Sequence, residues 1–127
     1  MLLDTNILVR HLTGEPAEQA SRATTFLGNA DALELPALIV AELVDVLESV
    51  YEQTRPQVAA LVRAVLAYPP VQASEGTVLL RAVELYETAR VHFAEAYLAA
   101  MAERSDGLVA SFDRDLDRVV GVTRVEP

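Results

Sequence analysis

Short apolar segments alternate with longer amphipathic segments along this chain of 127 residues. Apolar side chains at helical spacing predict six helices, at about 5–13, 16–28, 37–53, 58–66, 76–90 and 93–104. Between them, strands are predicted at 1–4, 33–36, 108–111 and 122–125, with 71–73 as a short strand or an extended link. Strands separated by helices pair in parallel through right-handed crossovers. We therefore expect one α/β domain over residues 1–127, with a central, mostly parallel sheet of four to five short strands flanked by helices.

Composition excludes several classes of protein. With 52% apolar residues, a chain of this length buries about two-thirds of its unfolded surface. Cysteine is absent, which excludes disulfides, zinc–thiolate sites and thiol nucleophiles. The two histidines lack the spacing of a histidine-based zinc enzyme. No apolar run approaches a membrane span and no basic residue leads the first one, so we expect a cytoplasmic protein without a signal peptide.

The charge of the chain is strongly negative. The net charge is −9, and all ten basic residues are arginines, with no lysine. A phosphate backbone would be repelled unless contact is local and made by arginine, or is mediated by metal ions. Acidity also serves solubility, or suits a basic protein partner. The missing lysine disfavours an acid-phosphorylated phosphotransfer domain, since the response-regulator and haloacid-dehalogenase families place a lysine beside the phosphorylated aspartate.

Three acids occupy comparable places in distant segments. Asp4 follows the first predicted strand, Asp113 follows the strand at 108–111, and Glu42 lies in the third predicted helix. Binding sites in parallel sheets lie beyond the carboxyl ends of the strands. Two carboxylates about 5 Å apart repel by roughly 3 kcal/mol at an effective dielectric of about 20, so a cluster must take up protons or a cation. An all-oxygen site suits a hard divalent ion, Mg²⁺ or Mn²⁺.

Each of these acids also has a simpler interpretation. Asp4 and Thr5 are suitable caps for the first helix, and Glu42 is compatible with a solvated helix position. Asp113 is compatible with ordinary turn chemistry together with Asp115. The metal hypothesis therefore depends on the acids acting as a group.

Glu95 is the acid whose surroundings are most unusual. It is the sole charged residue between Phe93 and Ala102, and a buried lone carboxylate is costly. Complementation of the helix dipole is the alternative interpretation. His92 is either a polar residue at the helix start or a partner of Glu95. The arginines near the acids are candidates either for binding phosphate groups or for surface ion pairs: Arg10, Arg114 and Arg118.

Four motifs together resemble the PIN-domain family, and most closely its VapC-type toxins from bacterial toxin–antitoxin pairs. They are Asp4-Thr5-Asn6, the helix of Glu42, the alanine-rich segment 93–100 and the turn Ser111-Phe112-Asp113-Arg114-Asp115. The resemblance covers essentially the whole chain. It implies a three-layer α/β/α PIN-like fold, Mg²⁺- or Mn²⁺-dependent cleavage of RNA, a homodimer, and inhibition by a small VapB-type antitoxin.

The resemblance also implies a role for individual residues. The catalytic and metal-binding acids fall on Asp4, Glu42, Glu95 and Asp113, and supporting roles fall on Thr5, Asn6, His92, Ser111 and Asp115. One segment departs from the family, which typically has Asp-Phe-Ala-Asp-Ala where this chain has His92-Phe93-Ala94-Glu95-Ala96. Glutamate keeps the charge but moves the carboxylate one methylene outward. A degenerate PIN-fold protein that binds an antitoxin or RNA without cleaving is therefore the alternative hypothesis.

Overall fold

Two compact units make up the chain, Met1–Gly76 and Thr77–Pro127, and the computed structural model describes residues 1–127. The first unit contains helices α1–α4 and strands β1 and β2, which are α1 Thr5–Thr13, α2 Ala17–Asn29, β1 Leu33–Glu34, α3 Ala37–Ser49, α4 Arg55–Ala67 and β2 Val71–Gln72. The second contains α5 Gly76–Thr88, whose first residue closes the first unit, α6 Phe93–Glu103, β3 Leu108–Ala110, a 3₁₀ helix at Arg114–Arg118, and β4 Thr123–Val125. The predicted α/β class is confirmed, and none of the helices is long and apolar enough to cross a membrane.

All strand pairing is parallel, as predicted, in one pair within each unit. In the first unit β1 pairs with β2, Leu33 lying opposite Val71. The strand predicted at 1–4 is reduced to a single parallel bridge between Leu2 and Glu34. Only two backbone hydrogen bonds hold it, from the Leu3 amide to the Glu34 carbonyl at 3.0 Å and from the Glu34 amide to the Met1 carbonyl at 2.8 Å. The chain then enters α1 at once, which leaves no room for a longer ladder and places Asp4 at the start of that helix.

The helices of the first unit begin and end where local chemistry favours it. Gly14 ends α1 in the left-handed conformation, at φ 72°, which glycine adopts without steric cost. Thr54 starts α4 with a reciprocal capping box to Gln57. Helix α3 ends at Ser49, four residues short of the prediction, because Glu52 adopts a φ of 53° and the Gln53 amide bonds back to the Leu47 carbonyl.

Alanine defines the packing of the second unit. Ala82 of α5 and Ala96 and Ala99 of α6 are fully buried. Strand β3 pairs with β4 over three residues, and the Ser111 amide continues the ladder to the Val125 carbonyl at 3.0 Å. Asp113 therefore lies just beyond the carboxyl end of β3, as predicted. The turn expected after it is the 3₁₀ helix.

Candidate metal centre

In the first unit, a buried hydroxyl holds one of the predicted acids. Thr5 is 4% exposed, and its Oγ1 donates to Oε2 of Glu42 at 2.9 Å, joining the first turn of α1 to α3. Asp4 precedes α1 with extended backbone, and its carboxylate makes no capping hydrogen bond. The simpler interpretation of Asp4 as a side-chain cap is therefore wrong. Both acids are exposed, so neither charge carries a large desolvation cost.

These residues line a cavity of about 290 Å³, whose polar lining comes from Asp4, Thr5, Asn6, Arg10, Glu42 and Tyr51. The Arg10 guanidinium donates to the Tyr51 hydroxyl at 3.5 Å. Tyr51 was not among the predicted site residues. It follows the end of α3 in a segment that the sequence assigns to a continuing helix, so no periodic signal distinguished it.

In the second unit, three acids converge. Glu95, Asp113 and Asp115 each present a carboxylate oxygen, and the three oxygens lie within 4.8 Å of one another. Glu95 comes from the first turn of α6, whereas the two aspartates belong to the turn after β3. Oε2 of Glu95 is buried and has no hydrogen-bond partner. Unpaired buried oxygen atoms are uncommon in folded proteins, which marks this atom as a site for a ligand or a proton.

The turn itself fixes Asp113. Its amide donates to Oγ of Ser111 at 2.9 Å, and its Oδ1 accepts from the Asp115 amide at 2.9 Å. Arg118 pairs with Asp115 at 3.3 Å and also donates to the Arg90 carbonyl at 3.2 Å. The predicted supporting roles of Ser111 and Asp115 thus correspond to specific contacts. Arg118 forms one of the ion pairs that the sequence left open as an alternative.

The pKa values of two acids in this cluster, Glu95 and Asp113, are shifted in opposite directions. The pKa of Glu95 is raised, chiefly by burial and then by the neighbouring Asp113 carboxylate, which favours a proton on Glu95, while His92 opposes the shift. The pKa of Asp113 is lowered, first by the Asp115 amide that donates to it and then by Glu95. Two neighbouring carboxyls whose pKa values are pushed apart share one proton or bind one cation.

A family model of the PIN domain matches residues 1–122. The chain belongs to the PIN domain family. PIN domains are generally metal-dependent nucleases and typically use divalent ions. No match to the chain was found among curated proteins. The match covers nearly the full length of both units, so the nuclease fold expected from the four motifs is confirmed.

The donor set of this PIN domain fits a hard divalent ion. Each acid offers carboxylate oxygen, neither cysteine nor clustered histidine competes, and Glu95 Oε2 is a buried acceptor with no donor. His92 is exposed at the start of α6, and its side chain makes no capping hydrogen bond there.

The remaining predicted residues lie on the surface of this PIN domain. Asn6 is exposed on the wall of the first-unit cavity, and Arg114 is exposed in the 3₁₀ helix. Arg10 is half-buried and donates to Gln19 at 3.0 Å and to Tyr51. The arrangement thus brings Asp4, Thr5 and Glu42 together in the first unit, and Glu95, Asp113 and Asp115 in the second.

Proposed function

We propose that this PIN domain is a metal-dependent endoribonuclease that hydrolyses RNA phosphodiester bonds, acting as a VapC-type toxin. The observation that carries the proposal is the group of Glu95, Asp113 and Asp115, in which a buried glutamate oxygen lacks any donor. Family membership supports the same chemistry, since PIN domains generally cut nucleic acids with divalent ions.

We assign the binding of Mg²⁺ or Mn²⁺ to Asp4, Glu42, Glu95 and Asp113. The assignment rests on the resemblance of their segments to PIN motifs and on the all-oxygen chemistry of each group. A bound divalent ion lowers the pKa of a water and neutralises charge on the scissile phosphate. Thr5 keeps the Glu42 carboxylate in one orientation, and Ser111 and the Asp115 amide do the same for Asp113. Fixed carboxylates avoid reorganisation when substrate binds.

The proposed partners are an RNA substrate, a small VapB-type antitoxin and a second copy of the chain, all in the cytoplasm. The net charge of −9 suits a basic inhibitory segment. Large apolar side chains at the surface of α3 and just beyond its end support a homodimer, since Leu38 is 77% exposed and Val50 is 66% exposed.

A catalytically degenerate binding protein is the second candidate. One observation favours it: Glu95 and Asp113 are placed to share a proton, and Arg118 neutralises Asp115, so the second-unit acids are tolerated without a cation. On this hypothesis the protein binds RNA or an antitoxin and cleaves nothing.

Metal-controlled digestion of RNA separates the two candidates. Purified protein is incubated with labelled single-stranded RNA in Mg²⁺, Mn²⁺ or chelator, beside Asp4→Asn and Asp113→Asn. The matched control is Asp45→Asn, which removes an exposed acid from α3 whose partner is Ser49. A nuclease cuts with metal, stops with chelator, loses activity in both site variants and keeps it in the control. Intact RNA under every condition, with binding retained, identifies the degenerate alternative.

A further inference from the structure

A second polar cavity lies between helices α1 and α2. Its volume is about 530 Å³, and its lining includes Asn6 and Arg10 from α1 and Gln19, Arg22 and Phe26 from α2. We call it the α1–α2 groove. It combines two guanidinium groups, two side-chain amides and one aromatic ring, which are the groups that proteins use for phosphates, base edges and base faces.

Helical spacing places the α2 residues on one face. Gln19, Arg22 and Phe26 are three and four residues apart, so their side chains follow one another along the helix surface. Between them Ala23 is buried and small, which leaves the floor of the groove open. Phe26 is 40% exposed, and it belongs to the few large apolar side chains that this unit leaves in solvent.

The positive charges of the groove have no acidic partner. Arg22 makes no hydrogen bond or ion pair, and Arg10 donates only to uncharged acceptors, the Gln19 side chain, the Glu15 carbonyl and the Tyr51 hydroxyl. Other arginines of the chain are paired with acids, for example Arg81 with Glu103 and Arg124 with Asp117. In a protein of net charge −9, two cations without a carboxylate partner in one groove favour an anionic ligand.

The groove adjoins the cavity that holds the first-unit acids. Asn6 and Arg10 line both cavities, so the α1–α2 groove and the cavity of Asp4 and Glu42 are adjacent. An acidic chain repels a phosphate backbone. Arginine beside the acids offsets this repulsion locally.

We propose that the α1–α2 groove is a subsite for single-stranded RNA, in which Arg22 contacts a backbone phosphate and an unstacked base lies on the ring of Phe26. The inference rests on the proposed function and specifies its substrate as unpaired RNA. A paired base keeps its faces covered by its neighbours, so a duplex cannot use the Phe26 ring.

Fluorescence anisotropy with a labelled single-stranded 12-nucleotide RNA tests the proposal. Chelator is present throughout, so that nothing is cut. Phe26→Ala is expected to weaken binding by about 5- to 150-fold, the range for loss of one stacked base, without altering the salt dependence. Arg22→Gln is expected to weaken binding and to make the negative slope of log affinity against log salt shallower by about 0.7, the contribution of one phosphate contact on a single strand.

Matched controls come from helices outside the groove. Leu80→Ala removes a side chain of α5 that is 49% exposed, and Arg63→Gln removes the same charge from α4. Both are expected to bind RNA like the wild type apart from a small non-specific charge effect in Arg63→Gln. If Phe26→Ala and Arg22→Gln match these controls, or if duplex RNA loses as much affinity as single-stranded RNA in Phe26→Ala, the subsite is refuted. Unchanged RNA affinity combined with loss of a co-expressed protein partner also refutes it, because the groove then serves that partner.

Cleavage assays separate this inference from the proposed function. If both groove variants cleave RNA with metal and with an unchanged KM, the proposed subsite is refuted and the proposed nuclease function is supported. If the wild type cleaves no RNA but Phe26→Ala still weakens RNA binding, the nuclease function is refuted and the subsite is supported. A raised KM with little change in kcat in both variants supports both.

Discussion

Replacing Thr5 by valine isolates the hydroxyl that orients Glu42. The side chain is 4% exposed and its Oγ1 lies 2.9 Å from Glu42 Oε2. Valine keeps nearly the same shape and exchanges the hydroxyl for a methyl group, so Thr5→Val removes the hydrogen bond without opening a cavity.

The structure sets the size of the effect. A hydrogen bond to a charged group contributes about 1.5–3 kcal/mol, but water replaces part of it at an exposed carboxylate, so we expect about 1 kcal/mol less free energy of unfolding. Loss of a residue that orients a metal-binding group typically costs about 10–100-fold in metal affinity or activity. The functional loss should therefore be larger than the loss of stability explains.

Three measurements on two variants check this. Chemical denaturation gives the free energy of unfolding, calorimetry the affinity for Mn²⁺, and RNA cleavage the value of kcat/KM. Thr5→Ser keeps the hydroxyl and loses the methyl group, so it should retain most of the metal affinity even where it is less stable. The reasoning is refuted if Thr5→Ser loses metal affinity as severely as Thr5→Val, or if Thr5→Val binds metal like the wild type.

Three further perturbations have defined outcomes. Glu95→Gln should melt no lower than the wild type without metal, because Gln imitates the protonated acid that burial favours, yet Mn²⁺ should no longer raise its melting temperature; an undiminished metal-induced rise contradicts the assignment. Leu47→Ala should cost about 2–5 kcal/mol in denaturant titrations, since Leu47 is 0% exposed, whereas Val120→Ala should change stability by less than about 0.5 kcal/mol, since Val120 is 92% exposed; equal losses contradict this. The Arg81 guanidinium lowers the pKa of Glu103 below its usual 4.5, so Glu103→Gln should cost about 1 kcal/mol at pH 7 after screening, and the difference should disappear as the pH falls through the lowered value; a cost that persists at pH 2 contradicts the ion-pair origin.

The helices were predictable because their signals are local. Apolar spacing, Pro56 near the start of α4 and Gly14 after α1 placed most helix bounds within a few residues of those observed. The end of α3 was missed because Glu52, not a glycine or proline, takes the left-handed conformation there. The length of the first strand was overestimated, because an apolar segment does not show how many of its residues will pair with another strand.

The sequence named candidate site residues but could not give their contacts. Motif spacing singled out Thr5 and Glu95, yet the hydrogen bond of Thr5 to Glu42 and the buried oxygen of Glu95 depend on packing between elements distant in sequence. Tyr51 and the α1–α2 groove escaped notice for the same reason. Nothing in a single helix shows which neighbour will lie against it.

The turn after β3 determines how the Asp113 carboxylate is oriented. Its Oδ1 accepts from the Asp115 amide at 2.9 Å, so a main-chain donor rather than a mobile side chain holds this carboxylate in place. On the proposed function, a divalent ion would meet a carboxylate that the backbone has already oriented, and metal binding would not have to order it.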